Sequence, residues 1–493
     1  MLLAMPILIP IFAGAWLLFW NPESRRARQT YVLSVVLLTA LLAGLCIYSS
    51  YQDGMESLAC TLIQFGGGLS IALRIDGASM VFGTIVAVLW PVTTIYSFEY
   101  MKHEGGENRF FSFFTISFGV VLGVAFARNF MTLYLFYELL TLATLPLVMH
   151  SMDKAARYAG KKYLIYSLSG AAFAFIGIVF LLHYGVTLDF TYGGVLDAAK
   201  MAGNEKTLLG VFVLAFFGFG VKAAIFPFHG WLPDASVAPT PVSALLHAVA
   251  VVKAGVFAVM RLIYFGFGAE FLRGSFAQDI VMTATIVTIV YGSAAALRTP
   301  HLKRRLAYST VSNLSYILFS LTLMTPAGLA GGLTHMVYHA VIKITLFFCA
   351  GAVLYKTGRE YVYDLEGYGK AMPVVFGAFT VSAVALIGVP PLGGFAGKWC
   401  IATAAVVTGN PLAYVGIAAL ILSTLLTTLY MMTVVIRVYF PVGERVQEGL
   451  AGVADPNRSM TVPLLLLATG GAVLGLCSHP LIQVLRAVAN GVF

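Results

Sequence analysis

Runs of about 20 apolar residues follow one another along the whole chain, with short polar segments between them. Within the runs polar and apolar residues do not alternate, as they would along the strands of a membrane barrel. Lipid offers the backbone no hydrogen-bond partner, so each run has to be a helix. The pattern predicts an all-α integral membrane protein of about fourteen spans: 2–20, 31–49, 75–98, 110–127, 130–149, 162–183, 207–228, 242–264, 279–297, 305–324, 328–354, 373–407, 412–436 and 460–487. The run at 373–407 is too long for one straight crossing and is interrupted by Pro390 and Pro391. The first run has neither a charged leading segment nor a small-residue cleavage site, and is expected to be a retained helix.

Composition agrees. The chain has 59% hydrophobic and 10% charged residues and a mean hydropathy of +0.89. A soluble domain carries about 25% charged residues, so a water-soluble fold is excluded. The charges fall unevenly. Of 30 Lys and Arg, nineteen lie in or beside the odd-numbered loops: Arg25, Arg26, Arg28, Lys102, Arg109, Lys154, Arg157, Lys161, Lys162, Arg298, Lys303, Arg304, Arg305, Lys356, Arg359, Lys370, Arg437, Arg445 and Arg458. Seven lie on the other side: Arg74, Arg128, Lys200, Lys206, Arg261, Arg273 and Arg486. The positive-inside rule then places both termini outside, in what is expected to be a prokaryotic cell membrane. The net charge of +9 is topology and calls for no nucleic-acid partner. Cys46, Cys60, Cys349, Cys400 and Cys477 are scattered without CxxC spacing. No metal site, iron–sulfur cluster or other cofactor is expected of such a pattern. No strands are expected, and so no strand-borne phosphate loop.

Chemistry enters with the charges inside the spans. Lys222, Lys253, Lys343 and Lys398 fall in spans seven, eight, eleven and twelve, and Glu138 falls in span five as the one acid among 21 expected deep in a helix. Each such residue costs about 2.5–3.5 kcal/mol at a helix centre on insertion scales. Structural ion pairing and snorkelling to the interface would explain them without function. Proton relay is the other reading. A free lysine titrates near 10.4, and burial lowers this towards neutral pH, whereas arginine never releases its proton. A carboxylate approaching or leaving such a lysine switches whether it holds a proton. In span eleven His335, His339 and Lys343 recur at i, i+4 and i+8, which puts them on one helix face. His247 precedes Lys253 by six residues, about 120° short of two turns on a continuous helix, so the two need not share a face.

Two spans are broken. FPFHGWLPDASVAPTPV, residues 226–242, follows Lys222, and GVPPLGGFAGKW, residues 388–399, contains Lys398. Gly/Pro interruptions at matching places in two halves point to the transport site of inverted-repeat transporters. Spans four to eight and nine to thirteen are read as two inverted five-helix repeats with discontinuous helices seven and twelve. The expected divisions of the single membrane domain (1–493) are 1–105, 106–270, 271–440 and 441–493.

The stretches VKAAIFPFHGWLPDASVAPTPVSALLHAVAVVKAGVFAVMRL, LKRRLAYSTVSNLSYI, HMVYHAVIKITLFFCAGAVLY and PPLGGFAGKW resemble one family. It comprises the antiporter-like subunits shared by respiratory complex I, ferredoxin-linked membrane hydrogenases and Mrp-type cation/proton antiporters. The resemblance covers roughly residues 70–440. It implies a gating pair, Glu138 and Lys222, a relay residue in helix eight at Lys253 or His247, helix-eleven histidines His335 and His339, and an outward residue at Lys398. With Lys rather than Glu there, the chain looks more like the hydrogenase or Mrp branches. The resemblance implies partner membrane subunits, with redox chemistry housed in them, since this chain offers no redox centre.

The expected path runs from the cytoplasm to Lys222, past Lys253 and the histidines to Lys398, and out. Three alternatives stand beside it. A Na⁺/H⁺ antiporter would need more oxygen ligands than the single deep acid offers. A transporter of a small organic solute would need a roomy midplane site. A non-conducting structural subunit would have little use for so many buried titratable groups.

Overall fold

A computed structural model describes residues 2–22, 24–53, 58–441 and 452–491; Arg445 of the charge pattern lies outside them. The protein is an integral membrane protein. Among the described residues, eleven helices are long and apolar enough to cross a membrane. In chain order the helices that matter are α1 (Met5–Phe19), α2 (Arg25–Asp53), α3 (Gly77–Glu104), α4 (Glu107–Ala125), α5 (Phe130–Val148) and α6 (Lys154–Tyr184). There follow α7 (Glu205–Gly220), α8 (Thr240–Ala248), α9 (Val251–Arg261), α10 (Phe276–Arg298), α11 (Leu302–Thr322) and α12 (Pro326–Thr357). The last are α13 (Pro373–Ile387), α14 (Gly393–Thr408), α15 (Pro411–Tyr439), α16 (Arg458–Leu476) and α17 (Ser478–Ala489). The expected spans that fall short of the eleven are α7, with 16 residues, the α13/α14 pair, with 15 and 16, and α11, which begins in the Lys303–Arg305 cluster.

Starts and stops follow local chemistry. Asp76, Asn129, Asp153, Ser275 and Thr325 each accept a backbone N–H of the first turn that would otherwise lack a partner. Gly358 closes α12 at φ +67°, where a side chain would be strained. The interior is formed by α8/α9, whose 240–267 span is buried throughout, and by α12, while α2 and α16 mostly face outward. The two halves share a packing scheme: α4 lies on α5 and α6 on α7, as α10 lies on α11 and α12 on α14.

Several expectations need correction. The loop near 50–72 holds an antiparallel hairpin, Cys60–Gln64 with Ser70–Leu73, so strands do occur. The last span divides at Cys477 into α16 and a separate amphipathic α17. Glu138 lies at the middle of α5, with its side chain 21% exposed, whereas the buried acids Asp76, Glu99 and Glu107 lie at or near helix ends. Lys303 and Arg305 are buried rather than loop-exposed: Lys303 donates to Ala238 O at 2.7 Å and Arg305 to Thr299 O and Tyr430 O.

Arg261, counted among the charges of the outer side at the end of the span 242–264, is completely buried. Its guanidinium meets Asp76 through two bonds of 2.6 and 2.7 Å, donates to Ser79 at 3.0 Å, and lies over the rings of Phe190, Phe257 and Phe265. Sequence spacing hid this because the partners are 185 residues apart. The pair ties the start of α3 to the end of α9. Replacing Asp76 by Asn leaves a buried, uncompensated guanidinium and is expected to cost about 3–5 kcal/mol. Thermal unfolding of the assembled complex should show this as a clear loss of stability or yield; an unchanged transition would contradict it.

Candidate functional site

The first broken span ends its helix at Gly220. Pro227 has no N–H to give and disfavours helical backbone at Phe226, so the chain turns, with Ala224 at φ +57°. Lys222 thus sits inside the break, not ahead of it. The carbonyls set free are reused: Phe219 O accepts the Tyr137 hydroxyl at 3.0 Å and Val221 O accepts the Trp231 indole at 2.8 Å. Lys222 reaches α5, where its Nζ lies 3.1 Å from Glu138 Oε1, donates to Tyr137 O, and stands 3.4 Å from the Tyr137 ring centroid. The lysine is fully buried, and the glutamate is at the edge of the chain beside exposed Leu139 and Leu142.

The second broken span works by subtraction. In a continuous helix Leu386 O and Ile387 O would accept the N–H groups of residues 390 and 391. Both are proline, so both carbonyls are left over. Lys398, five residues into α14, folds back and donates to Leu386 O at 3.1 Å, Ile387 O at 2.8 Å and Thr424 Oγ1 at 3.1 Å. The ammonium also caps the negative end of α13.

Between the breaks runs a buried basic line. Lys253 Nζ is 2.7 Å from His339 Nδ1. The His339 and His335 rings are 6.0 Å apart, with their planes 28° from parallel, a separation of the size that one bridging water can cover. His335 Nε2 lies 3.2 Å from Asn313 Oδ1, and its ring is 5.4 Å from Tyr316, whose ring is in turn 5.4 Å from Lys398 Nζ. Gly397 makes this approach possible, because a Cβ there would sit 2.8 Å from His335 Nδ1. Lys343, one turn on from His339, is bound to Leu306 O at 3.0 Å and to Ser309. The expected His335/His339/Lys343 stripe is therefore present.

His247 and Lys253 are not related by one helical wheel, since α8 ends at Ala248 and α9 starts at Val251. Both side chains point inward. His247 stacks on Phe347 at 4.7 Å and has no protein hydrogen bond at either nitrogen, while Lys343 and Lys303 are its charged neighbours. No direct hydrogen bond joins Lys222 to Lys253 among the described residues. Gly255, two residues past Lys253 in α9, packs on the backbone of Lys222 with no room for a Cβ.

Sequence reading missed Tyr137, Ser309, Asn313 and Tyr316. The last three recur at i, i+4 and i+7 in span ten, and that polar face within an apolar run was the available signal. Tyr137 carried none, because its role depends on the break folding back onto α5.

Residues 127–427 match the family described as NADH:quinone oxidoreductase/Mrp antiporter, transmembrane, and residues 63–111 match the complex I chain 5 N-terminus. The chain is 32% identical to the NADH-quinone oxidoreductase subunit N of Desulforudis audaxviator, over 84% of its length and 83% of that protein. It is 30% identical to a probable K(+)/H(+) antiporter component of Rhizobium meliloti, over 96% of this chain but 47% of that one, so it spans about half of that relative. Its fold matches a chain of the archaeal membrane-bound sulfane sulfur reductase, with a TM-score of 0.83 at 23% identity, covering 100% of this chain and 96% of the other.

The leftover carbonyls at Lys398 yield a test. Replacing Pro390 and Pro391 together by Ala restores two N–H donors that compete for Leu386 O and Ile387 O. Charged hydrogen bonds contribute about 1.5–3 kcal/mol each, so proton translocation by the reconstituted complex should fall roughly tenfold or more with assembly retained. Translocation at the unaltered rate would show that these carbonyls do not hold the lysine.

Proposed function

The chain belongs to the NADH:quinone oxidoreductase/Mrp antiporter family, and on that premise we propose that it is a proton-translocating, antiporter-like subunit of a complex I-related membrane complex. The observation that carries this reading is the Glu138–Lys222 pair, a fully buried ammonium held 3.1 Å from a partly exposed carboxylate at a helix break. Lys222 takes a proton near the broken seventh span. The proton passes by Lys253, His339 and His335 to Lys398. Glu138 governs loading: with the carboxylate close, the ammonium form is favoured, and with it withdrawn the proton is released onward. His335 and His339 can each accept at one ring nitrogen and donate at the other, which suits a relay. Lys343 and His247 lie beside the line and tune its charge. The charge asymmetry of the loops supports cytoplasmic uptake, outward release and both termini outside.

The exposed edge of Glu138 bears on partners. A carboxylate flanked by Leu139 and Leu142 cannot face lipid without large cost. That flank supports a neighbouring membrane subunit covering it, and redox or ion chemistry elsewhere in the complex drives the cycle. Transport of Na⁺ along the same line has less support, since the line is built of bases, and among the described residues no cluster of three or more His, Cys, Asp or Glu converges.

Glu138→Gln keeps the shape and removes the charge. Proton translocation by the reconstituted complex should fall roughly tenfold or more, as for loss of one proton-transfer group, with assembly intact. Lys222→Ala should be as damaging and the double variant little worse, because both act on one step. Glu138→Asp should retain partial activity. Full translocation by an assembled Glu138→Gln complex would leave the pair structural.

A further inference from the structure

A cavity of about 340 Å³ opens at the membrane face where α12 begins and α14 ends. This is the outward face in the orientation proposed above. Its walls include Thr334 of α12, Cys400 and Thr403 of α14, and Arg486 and Asn490 at the end of α17. At roughly 30 Å³ per water it has room for about ten. Its floor is one residue from His335, whose Nδ1 is buried without a protein partner and pressed against Gly397. Lys398 follows Gly397 in α14. The cavity therefore leads from the outer surface to Thr334 and Cys400, which are one residue from His335 and two from Lys398 in sequence, although neither of those two groups lines it.

Arg486 has no counter-ion among the described residues, and no acid lines the cavity. Arg486 and Cys400 line the same cavity. Arginine stays charged at any working pH, and a fixed positive charge at a pore mouth opposes cations. A proton leaving through water hops from donor to acceptor and need not pass as an ion with a hydration shell. A hydrated metal cation has to travel bodily past the guanidinium.

We propose that α17 forms the wall of the outward vestibule of the basic line and that Arg486 is its charge filter, a specificity determinant that lets protons out and keeps metal cations from coming in. The proposal rests on the proton-translocation reading for its direction. The geometry and charge of the vestibule can be tested without it.

Cys400 is a built-in reporter. In the assembled complex, the rate of its modification by a cationic methanethiosulfonate (trimethylammonium type) and by an anionic one (sulfonate type) is followed by peptide mass spectrometry. The ratio of the two rates cancels the intrinsic reactivity of the thiol. Wild-type complex should favour the anionic reagent. Arg486→Gln should shift the ratio roughly fivefold towards the cation, as expected of one charge acting through partly screened water. Arg486→Glu should shift it further, and Arg486→Lys should keep the wild-type preference. Cys400 that resists both reagents, or a ratio indifferent to the charge at 486, overturns the proposal. Proton translocation by the modified complex, measured against its own untreated rate, should fall, and Cys477→Ser should not prevent the fall. Undiminished translocation with Cys400 fully modified overturns the exit role. A complex that never translocates protons sinks the functional reading instead, while the rate ratio still reports on the filter.

Discussion

In a membrane interior every ammonium needs an acceptor, and in an intact helix each backbone carbonyl already takes one N–H of its own helix. The site depends on how this chain makes acceptors available. Pro390 and Pro391 withhold two N–H donors, and Lys398 takes the two carbonyls so released. At the other break Pro227 and the turn at Ala224 expose Phe219 O and Val221 O, which are taken by Tyr137 and Trp231 and so dock the break onto its surroundings. Lys222 then falls beside Glu138. The breaks thus place Lys222 and Lys398, whereas Lys253 is held by His339 and Lys343 by Leu306 O and Ser309 of the unbroken α11.

Close packing does the rest. Gly255 lets α9 lie directly on the backbone at Lys222, and Gly397 lets α14 lie directly on His335. At both places a Cβ would force the polar groups apart. The line thus has short steps where glycine admits them, and its side chains are fixed by neighbours whose own rotamers are locked by burial. Around this centre the structural ion pairs sit towards the ends of the helices: Arg261 with Asp76 on one face, and Lys162 and Arg304 with Asp234 on the other. They hold the broken spans to the intact ones and leave the midplane to lysine and histidine.

His247 and Lys253 show how local reasoning can mislead. Their six-residue spacing implies different faces only on an unbroken helix, and the interruption at Val249–Ala250 voids that premise. Arg261 shows the same for charge counting. It looked like one more residue on the weakly positive side, yet it is neutralised by an acid 185 residues away.

What the sequence determined by itself was set by the solvent and by local chemistry. Apolar runs long enough to span lipid must be helices, prolines without N–H must break them, and charges kept within them despite their cost must have company. From these follow the helical class, the two breaks and the choice of Glu138, Lys222, Lys253, His335, His339 and Lys398 as candidates, of which Glu138 and Lys398 are only partly buried. Tertiary structure alone decided who meets whom. The Lys253–His339 contact spans 86 residues and the Lys222–Glu138 contact 84. Tyr137, Tyr316 and Asn313 join only because separate helices bring them there. Charge and hydropathy act along the chain and can be read from it, whereas a side chain's partner across the bundle is fixed by the packing of whole helices, which no local pattern encodes.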